Sequence, residues 1–220
     1  MQAGVVRDVP ELDIYKANVR RNMFAEYNDR IYSLDKDFPA EKGGKKNVLL
    51  IGNSFARDMG NILLESEMAD QINISYIWHD IDRFTQRIRE ADYVFVFNWK
   101  HAVPYQVWDN LKPDAEVWGI GTKNFGACSG NVYRNRNRVD YYEQTVEVNP
   151  NFILVNSMLK KEWRDHYLDF MEYVQQPKGA SSVRAFTDTH KLFSQDCAHL
   201  TKAGAQYYAN SIIWKNILKK

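Results

Sequence analysis

The sequence predicts an α/β protein whose sheet is mostly parallel and covered by helices on both faces. Two patterns carry that prediction: short apolar runs of strand length alternate with segments of helical period, and the first run passes through a tight turn directly into a helix. Length agrees, because 220 residues with 45% apolar and 26% charged side chains enclose one sizeable core with a short appendage.

Apolar residues at Leu12, Tyr15, Val19, Met23, Tyr27 and Ile31 recur every three or four positions and predict an amphipathic helix ahead of the core domain. Pro39 to Lys46, with Gly43-Gly44 and several lysines, reads as a linker. Residues 1–46 are thus an N-terminal helical extension and linker, and 47–220 the domain proper. Asn47 to Gly52 forms the first strand, and the helical spacing of Met59, Ile62 and Leu63 follows from Ser54. Ile72 to Trp78 is a strand, Asp80 to Ala91 a helix, and Asp92 to Asn98 a strand rich in aromatic and β-branched residues. A helix over Val103 to Leu111, strands over Ala115 to Gly121 and Phe152 to Asn156, and helices over Met158 to Val174 and Thr201 to Leu218 complete the pattern.

Composition narrows the function classes. A formal net charge of +1 gives no field that would draw the chain onto nucleic acid or an anionic membrane. The longest apolar runs, Val48 to Ile51 and Tyr93 to Phe97, fall far short of the roughly 20 residues of a membrane-spanning helix. Met1 to Pro10 lack the basic start and apolar stretch of a secretory signal, so export is not read from them. Cys128 and Cys197 are too few for a disulfide framework or a thiolate zinc site. His79, Asp80 and Asp82 read as a helix cap and solvated surface, and neither metal nor cofactor is expected. Arg134-Asn135-Arg136-Asn137-Arg138 is a solvated loop or a contact for an anionic sugar.

In such sheets ligands bind beyond the carboxyl ends of the strands, and Ser54 in Ile51-Gly52-Asn53-Ser54-Phe55 stands there. Gly52 permits the tight turn, and helix N-terminal amides favour negative charge beside the hydroxyl. A serine hydroxyl is a weak nucleophile without a neighbouring base. Asp196-Cys197-Ala198-His199, on a loop before the last helix, supplies an imidazole with a carboxylate three residues earlier to fix its tautomer. Cys197, between them, is expected to pack inward. The bland alternative is that Ser54 merely caps its helix, as Thr201 caps the last one.

Strand-Gly52-x-Ser54 near the start and Asp196-x-x-His199 before the final helix resemble the first and last signature blocks of the SGNH (GDSL-like) hydrolase family. The resemblance implies a flavodoxin-like three-layer α/β/α sandwich. It also implies that Ser54 attacks an ester carbonyl, His199 shuttles the proton and Asp196 orients His199. Ala3 to Leu12, Val48 to Asp58 and Glu65-Ser66 further resemble the soluble SGNH domain that follows the membrane portion of acyltransferase-3 family proteins, which O-acylate bacterial surface glycans. That implies a carbohydrate or acyl-ester substrate, a membrane acyltransferase domain upstream in the same polypeptide, and an extracytoplasmic location; without such a fusion the chain is expected in the cytoplasm. Asn53 stands where many relatives carry aspartate, and the family's Gly-x-Asn-Asp block is absent in that form. Asn98 is the first substitute for its oxyanion-binding asparagine and Asn124 the second. Trp99, Tyr105 and Tyr133 are candidate sugar-stacking rings.

Two readings compete with this one: a non-catalytic glycan-binding module on the same fold, and a phosphate-binding domain using the Gly52-Asn53-Ser54 turn. The second lacks both the Gly-x-Gly-x-x-Gly and the Gly-Lys-Ser/Thr loop.

Overall fold

Successive residues of a strand face opposite sides of a sheet, and in the first strand both sets are apolar, which commits it to a sheet covered on both faces. The computed structural model describes residues 8–15, 21–78, 84–97, 105–126 and 132–218. In it β1 (Lys46–Ile51) is central. Val48 and Leu50 enter one apolar cluster, Leu49 and Ile51 another on the opposite face. β3 (Tyr93–Val96) divides the same way, Tyr93 and Phe95 to one side and Val94 and Val96 to the other.

The five-stranded sheet has the order β2-β1-β3-β4-β6, with β2 at Ile72–Ile77, β4 at Glu116–Ile120 and β6 at Tyr167–Leu168. Every pair in it is parallel. The first face is covered by α2 (Ser54–Glu65) and α6 (Lys202–Ser211). The second is covered by α3 (Thr85–Glu90) and α4 (Tyr105–Asn110). This is the three-layer α/β/α arrangement with flavodoxin-like strand order, in which the direction of winding reverses between β1 and β3. Ser54 follows β1 and so stands at that switch point.

Three differences from the sequence expectation have local causes. The apolar run at Phe152 to Asn156 is not a strand but the first half of α5 (Pro150–Trp163). Asn149 caps that helix by accepting the Asn151 amide at 3.0 Å, and Pro150 fits its first turn. The helix expected over Met158 to Val174 therefore ends at Trp163, where Arg164 turns left-handed (φ 51°), and Tyr167–Leu168 becomes the edge strand β6. A two-stranded antiparallel pair, β5 (Thr145–Glu147) with β7 (Ser182–Arg184), is only three residues long on each side, too short to show a period in the sequence.

The helix expected over Leu12 to Ile31 is not continuous. Asp13 adopts φ 55° and Ile14 pairs back to Val9, while α1 covers Met23–Asp29 and runs into a 3-10 turn at Arg30–Leu34. This segment is joined closely to the sheet. Ile31 is fully buried against α2, in contact range of Gly60, and Arg87 of α3 grips Asp35 (2.7 Å) and Asp37 (2.8 Å). The last predicted helix stops at Ser211, after which Trp214–Asn216 form a separate 3-10 turn.

Because Ile31 belongs to the main core, Ile31→Ala should cost about 2–5 kcal/mol of stability through the cavity it leaves. Urea denaturation checks this; a loss below about 0.5 kcal/mol, typical of surface sites, would show that residues 21–45 add nothing to the core.

Candidate active site

The turn after β1 is built for close approach. Gly52 sits at φ 136°, a region that L side chains rarely adopt, and a Cβ there would lie 2.7 Å from the Phe97 carbonyl oxygen. Its amide donates to Ile77 O (3.0 Å), and the Tyr76 hydroxyl donates to Gly52 O (3.0 Å). Asn53 is the N-cap of α2, its side-chain oxygen accepting the Phe55 amide at 3.0 Å. Ser54 is therefore the first helical residue rather than the cap. Its hydroxyl is released from capping, and its amide belongs to the first turn, where helix N–H groups have no intrahelical acceptor.

His199, from the far end of the chain, brings its Nε2 to 2.7 Å from Ser54 Oγ. Asp196 Oδ2 lies 2.6 Å from His199 Nδ1. The other oxygen, Oδ1, accepts the backbone amides of Ala198 (3.1 Å) and His199 (2.8 Å) and the Ser194 hydroxyl (3.2 Å). The three-residue spacing thus lets one carboxylate fold the loop and hold the ring. Partial burial pushes the Asp196 carboxyl up, but its hydrogen bonds to the His199 ring and to the His199 and Ala198 amides outweigh that and hold it well below the usual carboxylate range. Cys197 is half-exposed rather than packed inward, in a left-handed conformation (φ 73°) between Asp196 and His199.

Beneath this line lies a pairing that sequence reasoning missed. Asp58, one helical turn beyond Ser54, is fully buried, and so is Lys123, four residues after Gly119 of β4. Lys123 Nζ lies 2.8 Å from Asp58 Oδ2 and 3.6 Å from the centre of the Phe55 ring. The Leu200 amide, next to His199, donates to the same Oδ2 at 3.0 Å. Arg57 Nη2 stands 3.6 Å from Asp58 Oδ1. Burial pushes the Lys123 ammonium below the usual lysine range, against the pull of Asp58 beside it. A lysine between Thr122 and Asn124 carries no sequence signal for burial; only the short spacing from Ser54 to Asp58 indicates that Asp58 shares Ser54's side of the helix.

Asn124 is committed to the backbone. Its Oδ1 accepts the Gly126 (3.1 Å) and Asn149 (3.0 Å) amides, and its Nδ2 donates to Cys197 O at 3.4 Å, beside the Phe125 amide on the same carbonyl (2.8 Å). It clasps the Asp196–His199 loop. Asn98, Trp99, His79, Asp80, Asp82 and Cys128 lie outside the described residues. Tyr133 is half-buried with the Arg136 guanidinium 5.1 Å above its ring. Among the described residues no group of three or more His, Cys, Asp or Glu side chains is arranged to hold a metal ion, and no helix is long and apolar enough to cross a membrane.

No protein-family profile and no curated protein sequence matches the chain. Among solved structures it is similar to the periplasmic domain of a lipopolysaccharide acetyltransferase from Salmonella ser. Paratyphi A, with a TM-score of 0.57 and 14% identity over 86% of this chain and 94% of that one. At that identity the likeness shows the fold.

Two outcomes follow from the charges. Lys123→Met should destabilise by about 3–5 kcal/mol by leaving Asp58 buried without its nearest counter-charge; a loss under about 1 kcal/mol in urea denaturation would mean that the carboxylate is neutralised otherwise. The lowered Asp196 carboxyl contributes stability that is present above the ordinary aspartate value of about 3.9 and disappears as pH falls below it. The stability gap between wild type and Asp196→Asn should therefore shrink with acid, and a gap that widens on acidification contradicts the assignment.

Proposed function

We propose that the chain is a serine-dependent O-acyl transferase or esterase acting on carbohydrate, through an acyl-Ser54 intermediate. The observation that carries this reading is the unbroken line from Asp196 through His199 to Ser54, at 2.6 and 2.7 Å. A cap or a solvated histidine has no need of it, whereas nucleophilic catalysis does.

In the proposed reaction His199 Nε2 takes the Ser54 proton as Oγ bonds to the ester carbonyl carbon. The charge that develops on the carbonyl oxygen faces the Ser54 amide in the first turn of α2. Asn98 remains the first side-chain candidate for a second donor, ahead of Asn124, whose carboxamide is engaged with the loop. The tetrahedral species collapses, the C–O bond to the leaving alcohol breaks, and His199 returns the proton to that alcohol. A second hydroxyl, from water or from a glycan, then loses its proton to His199 and bonds to the acyl carbon; the C–O bond to Ser54 breaks, His199 returns the proton to Oγ, and acid or acylated glycan is released. Asp196 keeps Nδ1 protonated and stabilises the imidazolium in both halves.

The choice of carbohydrate and of acetyl as the acyl group rests on the structural neighbour, a lipopolysaccharide acetyltransferase domain, and on the sequence resemblance. On the same support we propose that the chain is the soluble, extracytoplasmic part of a bacterial surface-polysaccharide O-acetyltransferase, with a membrane acyltransferase domain as its partner in the same polypeptide.

Ser54→Ala should reduce turnover of p-nitrophenyl acetate by more than about 10⁴-fold while leaving the unfolding midpoint near that of wild type. A fluorophosphonate probe should label wild type at Ser54 and not the variant. Equal turnover in the two proteins, or no labelling of wild type, would reject covalent catalysis in favour of a non-catalytic glycan-binding module.

A further inference from the structure

We propose that the exposed indole of Trp78, braced by Tyr32, is a stacking platform for a pyranose ring of the glycan that reaches Ser54. This inference rests on the proposed glycan chemistry and extends it to a residue that the sequence did not single out.

The position comes first. Trp78 immediately follows β2, whose Ile77 is in register with Ile51, so Trp78 stands opposite Gly52 across a pair of parallel strands. Neighbouring strands are roughly 4.8 Å apart, which puts the Trp78 backbone beside the turn that delivers Ser54. The carboxyl edge of the sheet, where the indole leaves the fold, is also where His199 meets the hydroxyl.

The ring is presented rather than merely left over. Trp118 and Trp214 are 8% and 1% exposed, whereas Trp78 and Trp108 are each 54% exposed; Trp108 lies within α4, and Trp78 directly follows β2 beside the Ser54 turn. Leaving so large an apolar side chain in water forfeits burial free energy, and a loose ring would lose further order on binding. This ring is not loose. Tyr32 stacks on it with centroids 5.4 Å apart and planes 21° from parallel, and Tyr32 is held in turn by the Tyr76 ring (6.0 Å) and by Arg57, whose Nη1 donates to its hydroxyl at 3.5 Å. Tyr76 reaches Gly52 O through its own hydroxyl. The aromatic pair is thus tied to the same turn as the nucleophile, so a ligand seated on Trp78 is fixed relative to Ser54.

The chemistry selects the ligand. A flat, prealigned indole offers an apolar face with a negative quadrupole, which matches the C–H face of a pyranose while leaving the sugar's hydroxyls free to react. A planar ring favours an extended sugar over a compact alcohol, and that makes the platform a device for choosing a polymeric acceptor.

The test is saturation-transfer NMR on the Ser54→Ala protein with cellotetraose, chitotetraose and tetragalacturonate as probes. Ring C–H protons of at least one probe should be saturated. The signal should fall at least tenfold in Ser54→Ala/Trp78→Ala and be partly kept in Ser54→Ala/Trp78→Phe, which also controls for folding. No saturation from any probe, or a signal equal with and without the indole, overturns the platform. Failure of the underlying chemistry is seen separately, as absence of fluorophosphonate labelling at Ser54 in wild type, which does not depend on sugar.

Discussion

One buried carboxylate organises the site. Asp58 is fully enclosed and lies one helical turn beyond Ser54. A charge in such a position is tolerated only when paired and hydrogen-bonded. Its partners come from three separate parts of the chain: Lys123 after β4, Leu200 beside His199, and Arg57 from its own helix. Through these contacts the Ser54 helix, the loop after β4 and the His199 loop are fixed together. Movement of the His199 loop away from Ser54 would withdraw the Leu200 amide from Asp58, so the electrostatics of the interior oppose it. The proposed reaction needs a base placed precisely against a nucleophile, which requires this kind of support, and here it comes from below His199 and Ser54.

A second layer of backbone contacts completes the frame. The Cys197 carbonyl receives the Phe125 amide and the Asn124 side chain. Asn124 in turn ties that loop to the start of α5 through the Asn149 amide. Two consecutive residues after β4 thus converge on the one carbonyl of Cys197, whose backbone is left-handed.

Much of this was legible in the sequence because it is local. The β1-turn-α2 unit follows from an apolar run, a glycine and a helical period within about twenty residues. The geometry of Asp196 and His199 follows from their spacing alone, since the carboxylate folds the loop that carries the ring. What was not legible is long-range or borderline. Nothing distinguishes Lys123 from a surface lysine until β4 carries it beneath α2. The run Phe152 to Asn156 is apolar at strand length, and only the Asn149-Pro150 start signal turned it into a helix. A two-residue edge strand at Tyr167–Leu168 is too short for any period to appear. The periodicity from Leu12 onward was real for Met23, Tyr27 and Ile31, but the left-handed turn at Asp13 interrupts it.

The openness of the site bears on which acceptor wins in the proposed reaction. The side chains of His199 and Asp196 are 29% and 42% exposed, so an acyl group on Ser54 would meet water readily. Exclusion of solvent is one way to favour transfer over hydrolysis; orientation is the other. A hydroxyl held in line with the acyl carbon can act at effective concentrations of about 10⁵ M or more, well beyond what bulk water offers. An accessible serine is therefore compatible with a transferase only where the acceptor is gripped close by. The aromatic pair beside Gly52, in its proposed role as a sugar platform, would meet that demand, and its anchorage to the Ser54 turn would convert affinity for a sugar into alignment of its hydroxyl.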